Sequence, residues 1–180
     1  TVLPFVDAPR VVGIGECGLD FYYDHSDRDV QRDVFAAQID LANKHNLPLV
    51  IHTREAWADT FDVLDSVGVP ERTIFHCFTG GENEARECVK RGAYLSFSGI
   101  VTFKTADDVR EAALWCPPEN MLLETDAPFL APVPHRGRPN QPSLVPTVGT
   151  FIADLRGEPV AQLAKTTTRN ARLAFPGIAP

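Results

Sequence analysis

Leu47-Pro48-Leu49-Val50-Ile51-His52-Thr53-Arg54 is a short aliphatic run that stops on a histidine. Residues 47–51 are continuously apolar, whereas a strand with one wet face alternates apolar and polar residues. A strand read this way is covered on both sides, as in a parallel sheet. Four further runs rich in β-branched and aromatic residues recur at 11–14, 73–75, 94–97 and 121–123. They lie too far apart for tight hairpins, so a parallel sheet fits them better than a meander.

The segments between these runs carry helical spacing. Over residues 27–46, Val30, Val34, Phe35, Leu41 and Ala42 form an apolar stripe that Gln38 interrupts, and Ser26 with Asp29 is read as a capping box. Residues 55–66 place Trp57, Phe61 and Leu64 on one face and stop near Gly68; residues 82–91 offer Ala85, Cys88 and Val89 and stop at Gly92. Thr105 and Asp108 open a further helix through Leu114. Two or three more follow in the tail, with Pro146 suited to a first turn and Gly157 to a stop. Trp57 and Trp115 read as helix packing.

Repeated βα units leave two architectures, an open doubly wound sheet and a closed (β/α)8 TIM barrel. Both place functional groups at the carboxyl ends of strands. Gly13-Ile14-Gly15 lacks the third glycine of a dinucleotide fingerprint and leads to Glu16 and Asp20 rather than straight into a helix.

Ligand-type residues stand where the runs stop: Glu16 after 11–15, His52 after 47–51, His76 after 73–75, and Asp126 after 121–123. Any one of them reads most simply as a structural residue, a hydrogen-bonded histidine or a turn-capping carboxylate. Four on parallel strands share one mouth, and imidazole with carboxylate suits Zn²⁺, Mn²⁺ or similar ions. His25 and His45, in a charged loop and at the polar end of a helix, are assigned no role.

The 180 residues carry a formal charge of −7 and are 44% hydrophobic, enough for one domain with a sizeable core. The chain as a whole therefore offers no cationic field to a polyanion, although bound divalent cations supply local positive charge. Cys17, Cys77, Cys88 and Cys116 match no C-x-x-C pattern and read as reduced thiols. With no signal-like opening and no apolar run long enough to span a bilayer, the expectation is a cytoplasmic protein that contacts no membrane. The opening residues 1–10 are read as a helix end or a linker.

Five stretches, in order, resemble signatures of the TatD family of metal-dependent DNases: Gly15-Glu16-Cys17-Gly18-Leu19-Asp20, Ile51-His52-Thr53-Arg54, His76-Cys77-Phe78-Thr79-Gly80, Ser96-Phe97-Ser98-Gly99 and Glu124-Thr125-Asp126-Ala127-Pro128. The loop Ala131-Pro132-Val133-Pro134-His135-Arg136-Gly137 is similar to the one following that family's last barrel strand. The resemblance implies a (β/α)8 TIM-barrel hydrolase of phosphodiester bonds in DNA. It implies two divalent ions, Mg, Mn or Zn, with Glu16 bridging them, His52 and His76 on one, and Asp126 on the other. In that scheme Asp126 orients a water or accepts its proton, and Glu124 supports from behind the ligands. His135 and Arg136 hold a neighbouring phosphate. Arg54 is a phosphate contact or a salt-bridged loop residue, and Tyr22, within Phe21-Tyr22-Tyr23, stacks on a nucleobase or packs at the rim.

The family's His-x-His pair on the first barrel strand has no counterpart in this sequence. Such barrels run to roughly 250 residues, and five of eight βα units are visible. The expectation is one N-terminally truncated TatD-type domain, residues 1–180, with the first three strands absent and one competent metal site. If the barrel is open, self-association follows from its exposed edges; no protein partner is indicated. Hydrolysis of another ester or amide, or an inactive remnant, are the alternatives.

Overall fold

The computed structural model describes residues 5–178. Of the opening stretch 1–10, residues 1–4 fall outside that range, and the remainder forms turns. Two compact units form: one runs up to Phe75 and takes in the residues from Arg172 onward, the other is His76–Ala171.

The first unit holds β1 (Ile14–Asp20), α1 (Arg28–His45), β2 (Leu49–Arg54), α2 (Trp57–Val67) and β3 (Thr73–Phe75). β1 pairs with β2, and β2 with β3, in parallel, with Gly18 opposite His52, Asp20 opposite Arg54, and Ile51 opposite Phe75. β3 coincides with the apolar run at 73–75, but the first two strands run on through the polar motifs. Glu16 and His52 therefore lie within strands, not after them. The reason is alternation: Cys17 and Leu19, then Ile51 and Thr53, stay buried while their neighbours face outward. β1 takes only Ile14 from the apolar run at 11–14, and a register shift separates Ile14 from Cys17, where the alternation begins.

α1 differs from expectation at both its start and its stripe. Asp27, not Ser26, caps it, its carboxylate accepting from the Asp29 and Val30 amides. The buried face is Phe35, Ile39, Leu41 and Ala42, while Val30 and Val34 are about half exposed. The residues under the sheet follow the helical period from Phe35 through Ile39 and Ala42, and Gln38 lies on the valine side of that face. α2 ends at Gly68, as its composition indicates, and Trp57, Phe61 and Phe75 cluster with ring centroids 5.8–6.1 Å apart. Each large side chain removed from water here contributes roughly 1.5–3 kcal/mol.

The second unit carries α3 (Glu82–Lys90), β4 (Tyr94–Phe97), α4 (Asp107–Trp115), β5 (Met121–Leu123), α5 (Val145–Arg156) and most of α6 (Val160–Ala174). β4 and β5 keep the bounds of their apolar runs and pair in parallel, Leu95 opposite Met121 and Phe97 opposite Leu123. Phe78 packs edge-on against Phe97, and Arg86 lies over the Trp115 ring at 4.5 Å. Pro146 sits in the first turn of α5, and Gly157 ends it in a left-handed conformation, as expected. From α6, the buried Asn170 carboxamide donates to the Pro118 and Met121 carbonyls, tying that helix to the start of β5. The α/β class with parallel strands thus stands. Among the described residues no helix is long and apolar enough to cross a membrane.

Candidate metal centre

In the first unit, Glu16, Gly18 and Asp20 alternate to one face of β1, and Val50, His52 and Arg54 to one face of β2. Parallel pairing sets His52 opposite Gly18, so its ring reaches both flanking carboxylates. His52 Nδ1 lies 3.1 Å from Glu16 Oε1, and Nε2 lies 3.2 Å from Asp20 Oδ2. Gly18 is required by space as well as by its φ of +137°: a Cβ there would come within 3.0 Å of the His52 carbonyl oxygen. Both titrating groups respond to the arrangement. The Glu16 hydrogen bond raises the His52 pKa, partial burial opposes it, and the charges of Glu16 and Asp20 reinforce it. Burial pushes Asp20 upward, but hydrogen bonds from the Tyr23 amide, His52 and the Tyr22 amide outweigh it and hold the carboxyl below its usual range.

In the second unit, His76 follows β3, while Glu124 and Asp126 follow β5. His76 Nδ1 lies 3.0 Å from Glu124 Oε1. His76, Glu124 and Asp126 each offer a ligand atom, all within 4.8 Å of one another and all partly buried. One imidazole and two carboxylates at that spacing fit a divalent cation of the Mn²⁺ or Zn²⁺ kind. Glu124, expected behind the ligands, thus stands close enough to be one of them.

The turn that carries Asp126 is held from below. Asp126 has φ +57°, a conformation costly for most side chains and tolerated by aspartate. Asn140, 3% exposed, donates to the Thr125 and Phe129 carbonyls at 2.6 Å each, and the Phe129 amide closes the turn onto the Asp126 carbonyl. Gly99, in the motif ending β4, is small for a related reason: a Cβ there would run into the Leu130 carbonyl of the same loop. Phe129 stands 68% exposed beside this turn. Asn140 was not visible in the sequence as a site residue, because its partners are backbone groups of a loop whose path no local pattern gives.

The residues expected to contact substrate have partners within the protein. Arg54 is a strand residue, and its guanidinium lies 3.9 Å from the centroid of the Tyr22 ring and 4.8 Å from that of Tyr23, so it is a cation–π partner and not a loop salt bridge. Arg136 lies over Phe103 at 3.9 Å and donates to the Ala131 carbonyl; the His135 amide donates to the Pro132 carbonyl. His45 is paired with Asp7 at 3.3 Å. His25, assigned no role from sequence, stacks on Tyr23 and lines a cleft of about 490 Å³ together with Glu16, Asp20 and His52.

Parallel strands that bring imidazoles and carboxylates together define an α/β protein with candidate ligands for a divalent metal. The model of the TatD related DNase family matches residues 1–176, and the chain belongs to that family. It is 46% identical over 167 residues to the uncharacterized metal-dependent hydrolase YabD of Bacillus subtilis, covering 92% of this chain and 66% of that protein. Identity is 36% over 181 residues to the 3'-5' ssDNA/RNA exonuclease TatD of Erwinia tasmaniensis, covering 97% and 70%. Among solved structures, YJJV, a TatD homolog from Escherichia coli, superposes with a TM-score of 0.88 at 29% identity, covering 94% of this chain and 65% of that one. The chain thus spans just under two thirds of the length of YabD and of YJJV.

Proposed function

We propose that this protein is a divalent-metal-dependent hydrolase that cleaves phosphodiester bonds in DNA, working in the cytoplasm. The observation that carries the reading is the convergence of His76, Glu124 and Asp126 within ligand distance of one another, in a chain of the TatD related DNase family. The relative named as an ssDNA/RNA exonuclease supports nucleic acid as substrate.

In this reading Glu16, His52, His76 and Asp126 are metal ligands. A divalent cation bound there supplies positive charge to phosphate oxygens. Glu124, 3.0 Å from His76 Nδ1, would accept a proton from that nitrogen, fixing the ring's tautomer and leaving the other ring nitrogen for a metal. Asp126 orients a water for attack at phosphorus or takes up its proton. His135 and Arg136 hold an adjacent phosphate, and Tyr22 and Arg54 contribute to substrate binding from the β1 and β2 ends. The (β/α)8 TIM-barrel reading belongs to the same proposal and is supported by the five strands that alternate with helices along the chain.

A second reading, a metal-dependent hydrolase of another ester or amide, is favoured by a relative named only as an uncharacterized metal-dependent hydrolase. Incubation with single-stranded DNA and Mg²⁺ or Mn²⁺, with and without chelator, alongside Glu16→Ala, decides between them. Cleavage abolished by chelator and by the substitution supports the proposal; cleavage indifferent to both, or none in the unaltered chain, defeats it.

A further inference from the structure

We infer that Tyr23 and His25 form a stacking platform for one unpaired base of a single-stranded nucleic acid, at the rim of the cleft that contains Glu16 and His52. The inference rests on the nuclease reading for its ligand class and on separate geometry for its residues. The two rings lie parallel, 3° apart in plane, with centroids at 5.3 Å, and both line the cleft. Tyr22 meets Tyr23 edge-on at 4.9 Å, and the two tyrosines remain 54% and 55% exposed.

Exposed aromatic rings in a loop are ordinarily mobile, yet these are held from two sides. Asp20 Oδ1 accepts from the Tyr22 amide at 3.0 Å and the Tyr23 amide at 2.9 Å, which fixes the turn leaving β1. Arg54, opposite Asp20 in the sheet register, lays its guanidinium over both tyrosine rings. The platform is therefore ordered before anything binds, which lowers the entropic cost of stacking. Asp20 and Arg54 are positioning residues for it, and Arg54 acts on substrate through the rings, not as a phosphate clamp.

The chemistry selects single strands. A base in a duplex has both faces covered by its neighbours, whereas an unpaired base offers one to an aromatic ring whatever its identity. Stacking also suits the charge balance: at −7 overall, the chain gains little from phosphates except near bound cations, so contacts to base faces supply affinity that electrostatics does not.

The test uses a phosphorothioate-linked trinucleotide containing 2-aminopurine, which resists cleavage and loses fluorescence when its base stacks, with Mg²⁺ present. In the unaltered chain, binding quenches the fluorescence. Tyr23→Ala weakens binding by roughly 5- to 150-fold, the range for loss of one stacked base, and relieves the quench, while Tyr23→Phe retains both; melting temperatures confirm that the variants fold. Binding without quenching, or binding unchanged in Tyr23→Ala, overturns the platform, and so does failure of the unaltered chain to bind. A chain that quenches the probe yet never cleaves DNA sinks the nuclease reading and leaves the platform standing; one that cleaves without quenching does the reverse.

Discussion

Replacing Gly18 with alanine separates two ways in which a glycine is needed. The backbone has φ +137° there, and a Cβ would come within 3.0 Å of the His52 carbonyl oxygen, 3.0 Å from its carbonyl carbon and 3.2 Å from its amide nitrogen. All three are backbone atoms of the paired strand, so no side-chain rotation relieves the clash. Gly92 is the matched control, with φ +76° and nothing within 4 Å of a Cβ. Backbone strain costs alanine about 1–2 kcal/mol at either position. Gly18→Ala adds the cost of forcing apart packed backbone, about 1–3 kcal/mol, for a total of about 2–5 kcal/mol. That is a large share of the roughly 5–15 kcal/mol by which such domains are stable. Thermal unfolding followed by circular dichroism reads the difference, expected to be roughly 2–12 °C between the two variants for a chain of this size. Because the displaced atoms belong to His52, Gly18→Ala also weakens divalent-metal binding, while Gly92→Ala leaves it intact. Equal melting temperatures for the two variants would refute the reasoning.

Asn140→Ala strands the Thr125 and Phe129 carbonyls and is expected to cost about 2–4 kcal/mol; Asn140→Asp, isosteric but unable to donate, also lowers the melting temperature, and a neutral result for both would remove Asn140 from its role under Asp126. Burial pushes Cys17 and Cys116 up to about 12, Glu16 adding to the first and Arg156 opposing the second, and pushes Cys88 higher still, while Cys77 is partly exposed. Ellman's reagent at about pH 8 should therefore find one reactive thiol in the native chain and four after denaturation; two or more fast native thiols contradict the packing of β1, α3 or α4. With divalent ions chelated, the raised His52 pKa contributes stability in full below the ordinary histidine value of about 6.5 and loses it as pH rises through the folded value. Denaturation midpoints measured across that window should fall less steeply in His52→Gln, and identical slopes would count against the Glu16–His52–Asp20 contacts.

How much of this was legible in the sequence depended on whether the determinant was local. β3, β4 and β5 kept the bounds of their apolar runs because each is short and buried throughout. β1 and β2 did not, because both alternate buried and outward-facing residues, β1 starting only at Ile14, and an outward-facing polar residue such as Glu16 or His52 was read as the end. The helix stops at Gly68 and Gly157 were legible from backbone chemistry, whereas Asp27 displaced Ser26 as the cap of α1, one residue along. The candidate ligands were visible because their residue types recur on or just after successive strands in the order of the family's motifs. Asn140 and His25 were not, since each acts through a loop whose course is settled by distant partners. The ring contacts of Arg54 were not legible, because the rings it covers belong to the turn that leaves a neighbouring strand.

The central claim is that carboxylates and imidazoles at the strand ends hold a divalent ion, and metal content after equilibrium dialysis against Mn²⁺ tests it most directly. One tightly held ion per chain is predicted, lost in His76→Gln and in Asp126→Asn while both variants remain folded. A chain that retains no ion, that retains two, or whose ion persists in both variants would contradict the account.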